Sequence, residues 1–370
     1  MVSSVAFVLG TRPEIIKLAP VIRACKDKDL EYTVIHTGQH YSEYLDNVFF
    51  EDLELGSPDH NLAVGSGSHA EQTGEMMAGI DRKLDEEQPD AVLVQGDTNS
   101  ALAGGLVASK RDGVLGHVEA GLRSYNRDMP EELNRILIDH VAERLFVPTA
   151  DAAECLTEEG IPDHRIEVTG NTIVDAVTQN AALAAEKSTI LDDLSLEEGQ
   201  FSLMTAHRPG NVDDRERFEG LLQGIARYAE FTDTPVIFPV HPRSDEKLSE
   251  YDLTVPDPIV CVDPLNFLDF LNLENKAQIV FTDSGGVQEE TCILGTPCVT
   301  IREHTERPET LSVGSNVLAE PTPDAIVGSA FDIRSNASDW EAPFGDGDAA
   351  EKILATLTQS ASEPTEKVYT

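Results

Sequence analysis

Thr282-Asp283-Ser284-Gly285-Gly286-Val287-Gln288-Glu289-Glu290 stands between two apolar runs, Gln278 to Phe281 and Pro297 to Ile301. That order predicts a strand, a glycine turn, a helix and a second strand, which is the outline of a phosphate cradle. Gly285 and Gly286 let the backbone come close to a ligand, and the first free amides of the helix favour an anion there. A matching element opens the chain: Val5 to Leu9 reads as a buried strand, and Gly10-Thr11-Arg12-Pro13-Glu14 turns it into a helix with proline near its first position. Two such elements, one in each half, predict two nucleotide-fold domains facing a shared cleft.

Between these two elements, apolar runs recur at Tyr32 to His36, Ala91 to Val94, Val114 to Val118, Leu145 to Val147 and Arg165 to Thr169. The pattern restarts at Phe201 to Thr205, Pro235 to Val240 and Ile259 to Val262. Polar or amphipathic stretches separate the runs, so the expected class is α/β, with parallel sheets covered by helices on both faces. The chain divides near residue 170, where Gly170-Asn171 leads into the alanine-rich helix Thr172 to Lys187, and the acidic segment Ser188 to Gln200 reads as a linker or short capped helix. A run from Ala349 to Leu357 predicts a last helix, and the polar tail after it is expected to fray.

With 370 residues, 40% of them hydrophobic, the chain is long enough for about two domains. No run reaches the roughly 18 apolar residues of a membrane span, and Met1 to Leu9 reads as part of the fold and not as an export signal, so a cytoplasmic protein is expected. Lys+Arg 27 against Asp+Glu 67 gives a formal charge of -40, spread along the chain. Nucleic acid and acidic membranes would repel such a surface. With arginine outnumbering lysine, it matches adaptation to a salt-rich cytosol, where repulsion is screened within roughly 3 Å at molar salt. Cys25, Cys155, Cys261, Cys292 and Cys298 form no Cys-x-x-Cys pair and read as buried free thiols. The histidines show no zinc pattern, so no metal site is expected.

In open parallel sheets ligands gather at the carboxyl ends of the strands. Residues there are Arg12 and Lys17, both suited to phosphate oxygens; Gln95-Gly96-Asp97-Thr98; His117-Val118-Glu119-Ala120-Gly121-Leu122-Arg123; and Pro130-Glu131-Glu132-Leu133-Asn134-Arg135. Asp97, Glu119 and Glu131 are thus candidates for one cleft. Taken singly, Asp97-Thr98 also fits a helix cap, and Glu131 fits a first-turn dipole partner with Arg135 four residues on. Glu119, flanked by Val118 and Ala120, is harder to explain without partners or a cleft. In the second half His207-Arg208 and His241 follow strands and suit a diphosphate. Glu290 lies close enough to the Ser284 helix start to reach a ribose hydroxyl pair.

Together these motifs resemble the non-hydrolysing UDP-N-acetylglucosamine 2-epimerases: Gly10 to Glu14, Gly96 to Thr98, His117 to Arg123, Pro130 to Arg135, Thr169 to Asn171, Thr282 to Glu290 and Thr305 to Glu309, in order along the chain. The resemblance implies a glycosyltransferase-B type fold of two Rossmann-like domains with a cleft between them and a C-terminal helix crossing back to the first. The first domain would be 1–170 plus about 347–366 and the second 171–346. It further implies interconversion of UDP-GlcNAc and UDP-ManNAc without cofactor or metal, by elimination of UDP to an enzyme-bound 2-acetamidoglucal and its return, in a homodimer. By that resemblance Asp97, Glu119 and Glu131 form the acid set and His207 assists the leaving diphosphate. Arg12, Lys17, Ser284, Gly285, Gly286, Glu290 and Arg307 are then nucleotide contacts, and Phe270 neighbours the uracil.

Three departures stand out. Pro209-Gly210 follows His207-Arg208 where the family often carries a glutamate, and Ser124 to Met129 is shorter than in many bacterial members. Tyr41-Ser42 follows Gln39-His40, which bears on activation by a second UDP-GlcNAc, although Arg208 and His241 match that site. The rival expectations are a hydrolysing relative releasing UDP and ManNAc, a retaining glycosyltransferase, and a non-catalytic sugar-nucleotide sensor.

Overall fold

The computed structural model describes residues 2–39, 49–336 and 340–359. It divides into two compact units, Met1–Ala176 with Phe344–Thr370, and Val177–Pro343, where the sequence reading divides the chain at 170 and about 347. The Tyr41-Ser42 departure, with His40 before it, and the tail beyond residue 359 that is expected to fray lie outside the described residues.

In the first unit the strands are β1 Ser4–Leu9, β2 Glu31–His36, β3 His60–Asn61, β4 Ala91–Gln95, β5 Val114–Val118, β6 Arg144–Val147 and β7 Ile166–Val168. All pair in parallel, in the order β3-β2-β1-β4-β5-β6-β7. Ala6, Val8, Val92, Val94 and Leu115 on this sheet share one apolar core with Met76, Ile80 and Ile138 from the covering helices. The helix Asn99–Ala108 is almost wholly buried and made of small residues for a reason: a Cβ on Gly104 would come within 2.9 Å of Val94 Cγ1 and 3.0 Å of Val8 Cγ1. The helix His69–Glu87 starts in a full capping box, Ser68 with Glu71. The last helix, Ala349–Gln359, packs against Arg12–Asp27 in this same unit, and the Asp175 carboxylate accepts from the first helical amides, Ala349 N at 3.3 Å and Ala350 N at 3.0 Å.

In the second unit β8 Ser202–Met204, β9 Val236–Pro239, β10 Ile259–Val262, β11 Val280–Thr282, β12 Cys298–Thr300 and β13 Asn316–Leu318 form a parallel sheet ordered β10-β9-β8-β11-β12-β13. One face packs on Phe218, Leu221, Ile225 and Ile326 from the helices Arg215–Thr232 and Pro323–Asn336, the other on Leu273 and Val287. Each strand-like apolar run of the sequence reading overlaps a strand, although β7, β8, β9, β11 and β12 are shorter than the runs that announce them. The strands it missed, β3 and β13, are two and three residues long and too polar or too short to show a run. Of the expected buried thiols, Cys25, Cys292 and Cys298 are buried, whereas Cys155 is half-buried and Cys261 exposed; all five are free.

The strand orders place one topological switch point in each unit, between β1 and β4 and between β8 and β11, where the connections depart in opposite directions. The loops and helix starts beyond the carboxyl ends of these four strands carry Arg12, Asp97, His207, Arg208, Ser284, Gly285 and Gly286, while Glu119 and His241 follow the neighbouring strands β5 and β9.

Candidate active site

In the first unit Gly10 lets the chain leave β1 where a Cβ would lie 2.1 Å from Thr37 Oγ1 and 2.2 Å from Ser100 Oγ, an impossible approach for any other residue. The helix Arg12–Asp27 follows, with Thr11 at its N-cap and proline in its first turn. Glu14, 1% exposed, joins the loops after β1 and β4: its Oε2 accepts from Gly10 N at 3.0 Å and Thr11 Oγ1 at 2.8 Å, and its Oε1 from Thr98 Oγ1 at 2.7 Å. Burial raises its carboxyl to about 7, against the lowering effect of those hydrogen bonds.

Lys17, one turn further, does not stand open to an anion; its Nζ donates to Glu119 Oε1 at 2.6 Å and Oε2 at 2.8 Å. Gln95 Nε2 donates to the same carboxylate. Glu119 follows the end of β5 with a φ of 68°, a left-handed backbone that a non-glycine residue rarely keeps unless its surroundings hold it. Asp97 pairs with the Arg135 guanidinium, and its own carbonyl accepts from Asn134 Nδ2 at 2.8 Å. The helix cap that Asp97-Thr98 offers is taken by Thr98, whose Oγ1 accepts from Ala101 N at 3.0 Å. Burial and the neighbouring Glu119 push the Asp97 carboxyl above the usual range, while Arg135 and Lys17 oppose them. Lys17, Glu119 and Asp97 are therefore one cluster.

Glu131 is not part of it. It is exposed in the first turn of the helix Pro130–Val141, and Arg135, its expected partner, turns to Asp97 and to Glu132, 3.3 Å away. Arg12 is also exposed, its guanidinium 5.8 Å from the Phe49 ring centre.

Behind the acids lies a brace that sequence reasoning missed. His117 is fully buried, with Nδ1 2.7 Å from Asp139 Oδ1 and Nε2 2.8 Å from the Gly96 carbonyl. Asp139 Oδ2 accepts from Gly121 N at 3.2 Å and Arg123 Nη1 at 2.7 Å. Burial alone would raise the Asp139 carboxyl, but His117 and Arg123 hold it below the usual range. The two loops that present Asp97 and Glu119 are thus tied to one buried carboxylate. The only signal for it in the sequence was a histidine inside an apolar strand.

In the second unit Asp283, fully buried after β11, fastens the loop after β8: it accepts from His207 N at 3.1 Å, Arg208 N at 2.9 Å and Asn211 Nδ2 at 3.2 Å. Its Oδ1 also lies 2.9 Å from His207 Nδ1, with the His207 side chain 37% exposed. Burial would raise the Asp283 carboxyl, but His207 and the backbone amides hold it below the usual range. His241, its ring centre 5.4 Å from that of His207, caps the helix Pro242–Tyr251 by accepting from Arg243 N at Nδ1, and burial together with His207 lowers its affinity for a proton.

The helix Gly285–Leu294 begins at Ser284 with no side-chain cap and no acid in its first turn. Neither Gly285 nor Gly286 has a positive φ, and a Cβ on Gly286 would meet nothing within 4 Å, so neither backbone torsion nor a neighbouring protein atom requires glycine at 286. A Cβ on Gly285 would lie 3.9 Å from Arg208 Nη2. Arg307 Nε lies 2.7 Å from Glu289 Oε1, and the half-buried Phe270 packs against the core beneath the helix Phe267–Lys276. His207, Arg208, His241, Ser284 and Gly285 are assembled on one switch point. Among the described residues no group of His, Cys, Asp or Glu is placed to hold a metal ion.

The family model described as UDP-N-acetylglucosamine 2-epimerase matches residues 23–358. The chain belongs to that family. The UDP-N-acetylglucosamine 2-epimerase of Methanocaldococcus jannaschii is 46% identical over 365 residues, covering 95% of this chain and 98% of the relative. A structure of the Methanocaldococcus jannaschii enzyme in complex with UDP-GlcNAc and UDP superposes with a TM-score of 0.80 at 46% identity, over 96% of this chain and 99% of that one. The glycotransferase of kitacinnamycin is only 11% identical over 96% of this chain and 94% of that one, yet its TM-score of 0.57 places both on the glycosyltransferase-B architecture. UDP-N-acetylglucosamine 2-epimerase activity follows from the family. No helix among the described residues is long and apolar enough to cross a membrane.

Proposed function

We propose that this epimerase interconverts UDP-GlcNAc and UDP-ManNAc without net hydrolysis, through elimination and re-addition of UDP. The observation that carries the reading is the Lys17–Glu119 and Arg135–Asp97 cluster at the first unit's switch point: two carboxyl groups in electrostatic reach of each other, each with its own cation. Such unlike carboxyl groups suit one proton acceptor and one proton donor.

A carboxylate takes the proton from C2 as the C1 to oxygen bond loosens. The C–H electron pair becomes the C1=C2 bond of 2-acetamidoglucal, and the C1–O pair leaves with UDP. Return of a proton to the opposite face of C2, with UDP oxygen rejoining C1, gives the epimer. Glu119, ion-paired with Lys17, starts as the acceptor; Asp97, raised by burial, carries a proton more readily than an ordinary aspartate. Glu131 is the further carboxylate of the proposed acid set. In the second unit the uncapped Gly285 helix end, Arg208 and His207 suit the negative charge growing on the diphosphate. Asp283 at Nδ1 orients His207, so that its other ring nitrogen serves the leaving group. Phe270, Glu290 and Arg307 are assigned to the uridine.

Incubation with UDP-GlcNAc in molar KCl, followed by proton and phosphorus NMR, tests this. The expected product is UDP-ManNAc with its diphosphate intact. Accumulation of free ManNAc with UDP would instead identify a hydrolysing enzyme, and no turnover with tight binding a sensor.

A further inference from the structure

Glu274 lies on the helix Phe267–Lys276, one turn beyond Phe270, and is 0% exposed. Both its carboxyl oxygens are buried, and neither receives a hydrogen bond from an N–H or O–H group among the described residues. The helix packs against Gly285–Leu294, and there Glu274 meets the carboxyl group of Glu290 as a hydrogen-bonding neighbour. The other titratable group acting at this place is Cys298 on β12, whose thiol is itself pushed up to about 12 by burial. On the facing helix Glu289 is turned to Arg307. Asp192 and Asp193, on the short helix Ile190–Asp193 that also packs here, are exposed. Lys276, the one base on Glu274's own helix, pairs with Glu198 at 3.0 Å.

Two ionised carboxylates in contact in a dry interior repel, and an ionised group without donors is costly to bury, so one of the pair keeps a proton. Burial and the adjacent Glu290 hold the Glu274 carboxyl well above the ordinary range, which makes Glu274 the protonated member. We propose that Glu274 is a positioning residue for nucleotide recognition: its carboxyl O–H donates to Glu290 and holds that carboxylate in the orientation that accepts from the two ribose hydroxyls. The inference rests on the assignment of Glu290 to the ribose. One helix then serves two parts of the nucleoside, Phe270 the base and Glu274 the ribose, by way of Glu290. Loss of the Glu274 proton places two charges together, turns Glu290 aside and weakens the grip on the hydroxyl pair.

The test is calorimetric binding of UDP and 2′-deoxy-UDP from about pH 6.5 to about pH 9.5 with the wild type, Glu274→Gln, Glu274→Leu and Glu290→Ala. The wild type should prefer UDP, with the preference falling as pH rises. Glu274→Gln, which keeps a donor but cannot ionise, should hold the preference level across the range. Glu274→Leu should lose about tenfold in UDP affinity while binding 2′-deoxy-UDP as before, the mark of one lost polar contact. If Glu274→Leu is too unstable to assay, the pH profile of Glu274→Gln decides, and a wild-type slope in it overturns the proposal. Glu290→Ala separates the premise from the inference. A retained ribose preference in Glu290→Ala removes the premise; a lost preference there with full preference in Glu274→Leu overturns only the positioning role.

Discussion

Asp97 and Glu119 differ in their partners, and that difference is what a proton shuttle needs. Asp97→Asn and Glu119→Gln should each lower kcat by about 100-fold or more, because in the proposed reaction each removes a group that exchanges protons with C2. UDP affinity should stay close to wild type, since neither carboxyl group is itself assigned to the nucleotide and most of the groups that are lie in the other unit; calorimetry beside steady-state rates checks both halves. Glu14 makes a different prediction. Its carboxyl is raised from 4.5 to about 7 in the folded protein, so the folded state holds that proton more tightly than the unfolded chain does. The stabilisation is complete below about pH 4.5 and is lost as pH rises through 7, a swing on the order of 3 kcal/mol. Glu14→Gln should therefore gain stability relative to wild type between pH 5 and pH 8 in urea titrations. An unchanged difference between the two proteins across that range would contradict the assignment.

At the scale of elements the strands were legible because both faces of a parallel sheet are buried, so Val5 to Leu9 and Val114 to Val118 appear as short apolar runs. The glycine turns after them were legible too. What stayed hidden was pairing over long sequence separation: nothing in a local pattern says that Lys17 reaches Glu119, 102 residues on, or that Arg135 turns away from Glu131 toward Asp97. His117–Asp139 and Glu274–Glu290 were hidden for the same reason, and only the first left a trace, a histidine within the apolar run Val114 to Val118. The closing helix Ala349–Gln359 depends on a cap of this long-range kind, Asp175, 174 residues before the amide it receives. Asp175→Ala should cost about 1 kcal/mol and lower Tm by roughly 2–4 °C, as read by calorimetry. A Tm within error of wild type would show that the cap is dispensable.

The whole molecule carries a formal charge of -40 on two units whose cores are ordinary apolar clusters, so its salt response is a property of the surface. Self-repulsion at low ionic strength should be relieved as the Debye length falls from about 10 Å to about 3 Å. Tm should rise steadily from about 0.1 M to molar KCl, and a flat curve would remove the link between this composition and salt. In the proposed reaction, protein carboxyl groups that exchange with solvent take the C2 proton away and return it. This exchange is tested most directly by turnover of UDP-GlcNAc in heavy water, with NMR of the recovered UDP-ManNAc. Deuterium at C2 of the intact nucleotide sugar is the predicted result, and UDP-ManNAc formed with its original hydrogen still at C2 would contradict the account.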